Sequence, residues 1–301
     1  MAEEKQLKIA GIGELLWDVF GEERQLGGAP ANCACHCHQL GGEGYVVSCL
    51  GNDESGKAAR EFLEKHGANL DGLATSDEHE TGIVLVTLDE AGKPDYEIRE
   101  NVAWDYIPMT DAMAAIASQL DAVAFGTLAQ RHSVSRESIG KFLDATKPDC
   151  LRMLDINIRQ SYYNDEVILA SLEKANALKI NDEELPLLTR MLGLSGSDEE
   201  KMRAILAKFD LKIAILTCGA EGAFMVTADA SSFIKPEPIE NIASTVGAGD
   251  SFTAAALIGY LKNKPLDEIN RHANAVASFV CTQTGAVPCL PEKLIQGEST
   301  L

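Results

Sequence analysis

From Asp111 onward, short apolar segments alternate with longer amphipathic ones, and this alternation decides the fold class. Strands are predicted at 122–125, 152–155, 177–180, 213–217 and 223–227, with helices near 135–145, 165–176, 182–191 and 198–209. Two further helices are predicted at 250–261 and 266–284. Strands separated by helices cannot pair as hairpins. They line up in parallel, with helices covering both faces. Earlier in the chain, strands at 7–13 and 45–50 and helices at 30–40 and 55–66 continue the pattern. Residues 81–108 break it. Two strands, 82–88 and 96–99, flank a turn at 89–93 with no helix between, which predicts a separate antiparallel flap.

Charge narrows the function classes. Forty-six acidic and 26 basic residues give a net charge of −20, which repels phosphate backbones and argues against a nucleic acid partner. An anionic ligand must then be held locally, by backbone N–H groups, metal ions and a few cations. No apolar run approaches the roughly 18 residues of a membrane span. The first residues lack the basic and apolar regions of a signal peptide. Eight cysteines in a chain of 301 residues therefore read as reduced thiols, and a cytoplasmic location is expected.

Three glycine-rich segments compete as anion sites. Gly11-Ile12-Gly13 follows a strand, but Leu16 leaves the dinucleotide fingerprint incomplete. The segment from Gly51 to Lys57 has phosphate-loop spacing, yet Ala58 replaces the Ser or Thr that would hold a metal. Asp53 and Glu54 would also put carboxylates where phosphates belong. The third segment, Thr245-Val246-Gly247-Ala248-Gly249-Asp250-Ser251, runs into an apolar helix. Glycines let the backbone approach a ligand, and free amides at a helix start make an anion hole without a basic side chain. Residues alone leave two roles open for Asp250, proton acceptor or helix cap.

The last segment, with Ser244 before it, resembles the C-terminal signature of the ribokinase-like (PfkB) carbohydrate kinases. Gly27-Gly28-Ala29-Pro30-Ala31-Asn32 resembles that family's sugar-binding element. Asp155–Arg159, Asn181-Asp182-Glu183-Glu184, Thr217–Gly222 and Thr284–Pro288 fall in the family's order. Within the family the chain looks most like fructokinases, through Phe125–Arg131 and Asp155–Arg159. The resemblance implies a three-layer α/β/α domain over residues 1–301 with a mainly parallel sheet. It also implies a small β lid drawn from about 14–28 and 81–108, and pairing of two copies through that lid.

The same resemblance implies ATP-dependent phosphorylation of a sugar hydroxyl, most simply on fructose. Ribose, 2-keto-3-deoxygluconate and a nucleoside are the rival acceptors, and a catalytically silent sugar sensor is the rival class. Asp250 becomes the base, and Gly247, Ala248 and Gly249 supply amides to the moving phosphoryl group. Asp18, Gly28 and Asn32 bind sugar, with Arg99, Asn157 and Arg159 on sugar or phosphate. Asn181, Thr217, Gly219, Gly222 and Asn274 fall on the ATP side, and Glu184 organises Mg²⁺ through water. Without the family, Asp18 reads as a turn residue, Arg99 and Arg159 as surface cations, and Asn181–Glu184 as a helix start. Ser244 stands where the family usually has Asp, which puts activation by K⁺ in doubt.

Cys33-Ala34-Cys35-His36-Cys37-His38 tempts a metal assignment. Helical spacing puts Cys33 and Cys37 on one face and Cys35 elsewhere, and no second ligand pair lies nearby. Buried free thiols are the expectation.

Overall fold

A computed structural model describes residues 6–88 and 94–299. The chain opens with β1 (Lys8–Ile12), β2 (Leu16–Phe20), β3 (Glu23–Gly27) and α1 (Ala29–Gln39). It continues through β4 (Glu43–Gly51), α2 (Glu54–Lys65), β5 (Leu73–Ser76), β6 (Gly82–Leu88) and β7 (Pro94–Ile98). Next come α3 (Asp111–Ala117), β8 (Ala122–Phe125), α4 (Ser133–Asp144), β9 (Leu151–Asp155), α5 (Asp165–Lys174) and β10 (Ala177–Asn181). Then α6 (Glu184–Leu192), α7 (Asp198–Lys208), β11 (Ile213–Thr217), β12 (Ala223–Val226) and β13 (Ser231–Ile234) follow. Helices α8 (Ala248–Leu261), α9 (Leu266–Cys281) and α10 (Glu292–Ile295) complete it.

Nine strands form the main sheet in the order β13-β12-β11-β10-β9-β8-β1-β4-β5. All pairings from β5 to β11 are parallel, and at the edge β12 pairs antiparallel with both β11 and β13. Alternate strand residues feed opposite faces. Ile9, Met153 and Ile215 pack with α1, α8 and α9, whereas Ala10, Leu154 and Leu216 face the layer holding α3 to α7. This is the three-layer arrangement expected from the alternation.

The chain winds outward from β1 in both directions, through β4 and β5 on one side and through β8 to β11 on the other. Such a reversal leaves a crevice beyond the carboxyl ends of the strands, where open α/β sheets bind ligands.

A second sheet has the order β3-β2-β6-β7. The β6–β7 pair is antiparallel as predicted, while β2 and β6 join in parallel at the centre. The predicted turn at 89–93 lies outside the described residues. The β2–β3 hairpin occupies what reads in sequence as a charged stretch after Asp18. Its two-residue turn puts Gly21 at φ +62, a conformation glycine adopts without a Cβ clash.

The Gly51–Lys57 segment is no phosphate loop. Asp53 Oδ1 accepts from the Gly56 amide at 2.7 Å, capping α2, and Oδ2 accepts from the Thr81 amide at 2.8 Å. Helix α6 begins at Glu184 rather than 182, because Asn181 Oδ1 accepts from the amides of Glu183 and Glu184 at 3.0 and 2.8 Å. Cys33 and Cys37 face one apolar cluster and Cys35 another. Burial pushes the Cys35 thiol up to about 12. Among the described residues no group of three or more His, Cys, Asp or Glu could hold a metal ion, and no helix is long and apolar enough to cross a membrane.

Candidate active site

Helix α8 starts without a side-chain cap. Gly247 takes the N-cap position at φ +80, and a Cβ there would sit 2.3 Å from the Ala286 carbonyl oxygen. The turn is therefore pressed onto Ala286, a contact only glycine permits. His36 of α1 also holds Ala286. Burial lowers its ring to about 4, so the neutral imidazole donates from Nε2 to the Ala286 carbonyl at 2.9 Å. The amides of Gly247, Gly249 and Asp250 have no partner among the described residues, as the first turn of a helix requires. The Ala248 amide differs from the expectation: it turns back to the Thr245 carbonyl at 3.3 Å.

Asp250 does not cap the helix. Asn32 Nδ2 donates to its Oδ2 at 2.8 Å, bringing the α1 element to the α8 start. Burial pushes the Asp250 carboxyl up to about 6, opposed by the Asn32 hydrogen bond and by the charges of Lys179 and Arg159. Gly28, at φ +122, begins α1, and a Cβ there would lie 2.3 Å from the Glu14 carbonyl oxygen. Asp18, on β2, is raised to about 6 by burial, and the Arg159 guanidinium acts against that rise. Asn157 follows β9 with φ +49, a left-handed conformation uncommon outside glycine and concentrated at ligand sites. Arg159, beyond it, is exposed, with Nη1 on the Ile158 carbonyl at 3.0 Å.

Glu14 and Lys179, not singled out from sequence, and Asp155, named there only as the start of the Asp155–Arg159 segment, complete the cluster. Glu14, just after β1, is 3 % exposed and its Oε2 has no hydrogen-bond partner. Burial pushes it up to about 7, opposed by backbone hydrogen bonds from Glu14 and Ala29 and by Arg159, and reinforced by Asp250. Lys179 lies beneath the helix start, its Nζ 3.1 Å from where a Cβ on Gly249 would be. Burial works against its charge, but Asp155, Glu184 and Asp250 outweigh burial and hold the ammonium above its usual range. Asp155 pairs with Lys179 at 3.0 Å and receives the Thr253 hydroxyl at 3.4 Å. A buried carboxyl with one oxygen left without a partner and a buried lysine have no sequence signature beyond their strand context.

Glu184 is buried, and both its oxygens accept amides, Oε1 from Ile158 at 2.8 Å and Oε2 from Asn181 at 2.9 Å. It thus anchors the loops after β9 and β10. Asn181 spends its side-chain oxygen on the α6 start and does not line the neighbouring cleft. That cleft, about 530 Å³, is lined by Thr217, Gly219, Gly222, Asn274, Ala248 and Gly249, among others. Asn274 Nδ2 donates within α9 to Asn270 at 2.9 Å, so its amide forms the wall. Arg99 lies one residue past β7, exposed, and its side chain has no partner among the described residues. Ser244 Oγ accepts from the Val246 amide at 3.1 Å.

The chain is similar to known proteins over most of its length. A sugar kinase of Pyrococcus horikoshii is 29% identical over 297 residues, covering 92% of this chain and 91% of its own. The crystal structure of a Pyrococcus horikoshii sugar kinase with ATP superposes with a TM-score of 0.80 at 28% identity, covering 92% of this chain and 93% of that one. Fructokinase-2 of Oryza sativa subsp. japonica is 27% identical, over 96% of this chain and 88% of its own. An Escherichia coli ribokinase II structure with ATP and Mg²⁺ shares the ribokinase-like fold, with a TM-score of 0.83 at 20% identity over 96% and 99% of the two chains. The pfkB family carbohydrate kinase profile matches residues 3–293, so the chain belongs to the pfkB family and is a sugar kinase.

Proposed function

We propose that this kinase transfers the γ-phosphoryl group of ATP to a hydroxyl of fructose, with Asp250 as the base. The observation that carries this reading is the Asn32–Asp250 hydrogen bond at 2.8 Å beside the unpartnered amides of the α8 start. It joins a proton acceptor to an anion hole within one helical turn. Asp250 takes the hydroxyl proton as the sugar oxygen bonds to phosphorus and the bond to ADP breaks. Amides of Gly247, Gly249 and Asp250 offset charge on the transferring oxygens, a role in which preorganised donors are strongest. The proton then leaves to solvent.

Asp18, Gly28, Asn32 and Asn157 form the sugar side, with Arg99 and Arg159 as cations for sugar or phosphate oxygens. The cleft between β11, β12, α8 and α9 takes the nucleotide, with Thr217, Gly219, Gly222 and Asn274 on its walls. The small sheet acts as a lid that excludes water, and two copies pair through it, which the solution mass reads directly. Carboxyls at positions 14, 18 and 250 against exposed Arg159 favour a neutral polyol over a sugar acid. Similarity to proteins named fructokinase supports fructose within that class.

Mg²⁺ fits an outer role at Glu184. Both oxygens hold amides yet keep lone pairs for metal-bound water. When bound with ATP, the ion offsets charge on the phosphates. Ser244 brings no carboxylate to the helix approach, so a monovalent cation there would rest on backbone carbonyls. A cytoplasmic location accords with eight free cysteines.

ADP release measured with fructose, ribose, 2-keto-3-deoxygluconate and a nucleoside tests the reading. Fastest turnover on fructose is expected. Preference for another acceptor would move the substrate, and sugar binding without turnover on any would establish a sensor instead.

A further inference from the structure

The segment Phe125–Arg131 resembles fructokinases, yet nothing in the transfer step uses Arg131. Its guanidinium forks onto Asp105, with Nε to Oδ1 at 2.7 Å and Nη2 to Oδ2 at 2.8 Å. The same Nη2 donates to the Arg99 carbonyl at 2.5 Å, at the end of β7. The cation also lies 4.0 Å from the Trp104 ring centroid and 4.7 Å from that of Tyr162. Tyr162 completes the span: its hydroxyl donates to the Ile98 carbonyl at 3.1 Å and its amide to the Arg159 carbonyl at 3.1 Å. Thr127, in the same segment, donates its hydroxyl to the Ile156 carbonyl at 2.7 Å.

We propose that Arg131 is a positioning residue that locks the end of the small sheet to the loop after β9, setting the separation of Arg99 and Arg159 across the sugar site. Stability alone accounts poorly for this arrangement. The Arg131 and Asp105 side chains are only 7% and 2% exposed, and Arg131 Nη1 is buried without a partner. Buried ion pairs are often no better for stability than well-packed apolar groups, and an unsatisfied donor makes matters worse. What the guanidinium does supply is geometry. It has a rigid planar fork that reaches a carboxylate and a carbonyl together while stacking on two rings, which a lysine cannot reproduce. Gly82 makes room for this stack, since a Cβ there would be 2.3 Å from Trp104 Nε1, so the start of β6 is bound into the same joint.

The proposal rests on the sugar site lying between the small sheet and the strand ends. Its test therefore includes a readout that needs no turnover. The full-length Arg131→Lys and Tyr162→Phe variants are compared with the parent by hydrogen exchange, melting temperature and steady-state kinetics. Lysine keeps the charge opposite Asp105 but loses the fork, and phenylalanine removes one hydroxyl. In both, faster exchange is expected at residues 97–99 and 156–162, with α8 and α9 unchanged. The sugar KM should rise about tenfold in Arg131→Lys and a few-fold in Tyr162→Phe, with the ATP KM within twofold and the Tyr162→Phe melting temperature lower by no more than about 3 °C. Unchanged exchange in both segments, or equal loss on sugar and ATP, overturns the positioning role. A parent enzyme inactive on every sugar would overturn the functional reading instead, and the exchange data would still decide the joint.

Discussion

Asn32 Nδ2 lies 2.8 Å from Asp250 Oδ2, joining residues 218 positions apart at the meeting of two helix starts. The amide donates to the charged carboxylate, so it favours the ionised form and opposes the burial that raises Asp250 to about 6. Asn32→Ala removes that support. The acid limb of kcat/KM should then move to higher pH by about one pH unit, the worth of one hydrogen bond to a charged group. An acid limb that stays in place would separate Asn32 from the base.

Asp18 should act on the sugar alone. Asp18→Ala is expected to raise the sugar KM about 10- to 100-fold, as losing a charged hydrogen-bond acceptor does, and to leave the ATP KM near its starting value. Because the carboxyl titrates near 6, the parent sugar KM should also climb as pH falls below that value. A sugar KM indifferent to both changes would remove Asp18 from the site.

Glu14 makes the fold pH-sensitive. Its carboxyl is raised from an ordinary 4.5 to about 7, so between those values the folded state binds a proton that the unfolded state has lost. Stability contributed by this residue therefore falls as pH rises through that window, by about 3 kcal/mol once both are ionised. Glu14→Gln keeps the shape and removes the charge. Its melting temperature should exceed the parent's at pH 8 by more than at pH 5. Equal differences at the two pH values would contradict a carboxyl raised by burial.

The nucleotide side is tested by filling it. Ala277 lines the cleft between α9 and the β11–β12 corner. Ala277→Phe should raise the ATP KM about tenfold or more through steric exclusion, with sugar affinity held. Loss of sugar affinity in its place would put the nucleotide elsewhere.

Much of this was legible from residue order. Alternating segments gave the main sheet because parallel strands buried on both faces are continuous apolar runs between helices. The β2–β3 hairpin was expected only through the family resemblance, which put 14–28 in the β lid, since Asp18, Glu22, Glu23 and Arg24 mask the alternation of a sheet with one wet face. Edge strands β5 and β13 do not declare themselves, since Leu73-Ala74-Thr75-Ser76 and Ser231-Ser232-Phe233-Ile234 carry polar residues in place of a continuous apolar run. At the site, Asp250, Asn32 and the glycines sit in motifs whose spacing carries their chemistry. Glu14 and Lys179 do not: one is defined by its burial and the other by Asp155 on a neighbouring strand, and both are properties of packing. Arg131 was visible as part of a resembling segment, but its reach to Arg99 and Tyr162 exists only in three dimensions.

The central claim is that Asp250 removes the sugar proton beside the amides of the α8 start. The most direct measurement is sugar-dependent ADP release by Asp250→Asn, alongside its ATP affinity. Turnover should fall by about 10²- to 10⁴-fold, the usual contribution of a general base, while ATP binds as before. Turnover within a few-fold of the parent enzyme would contradict the claim.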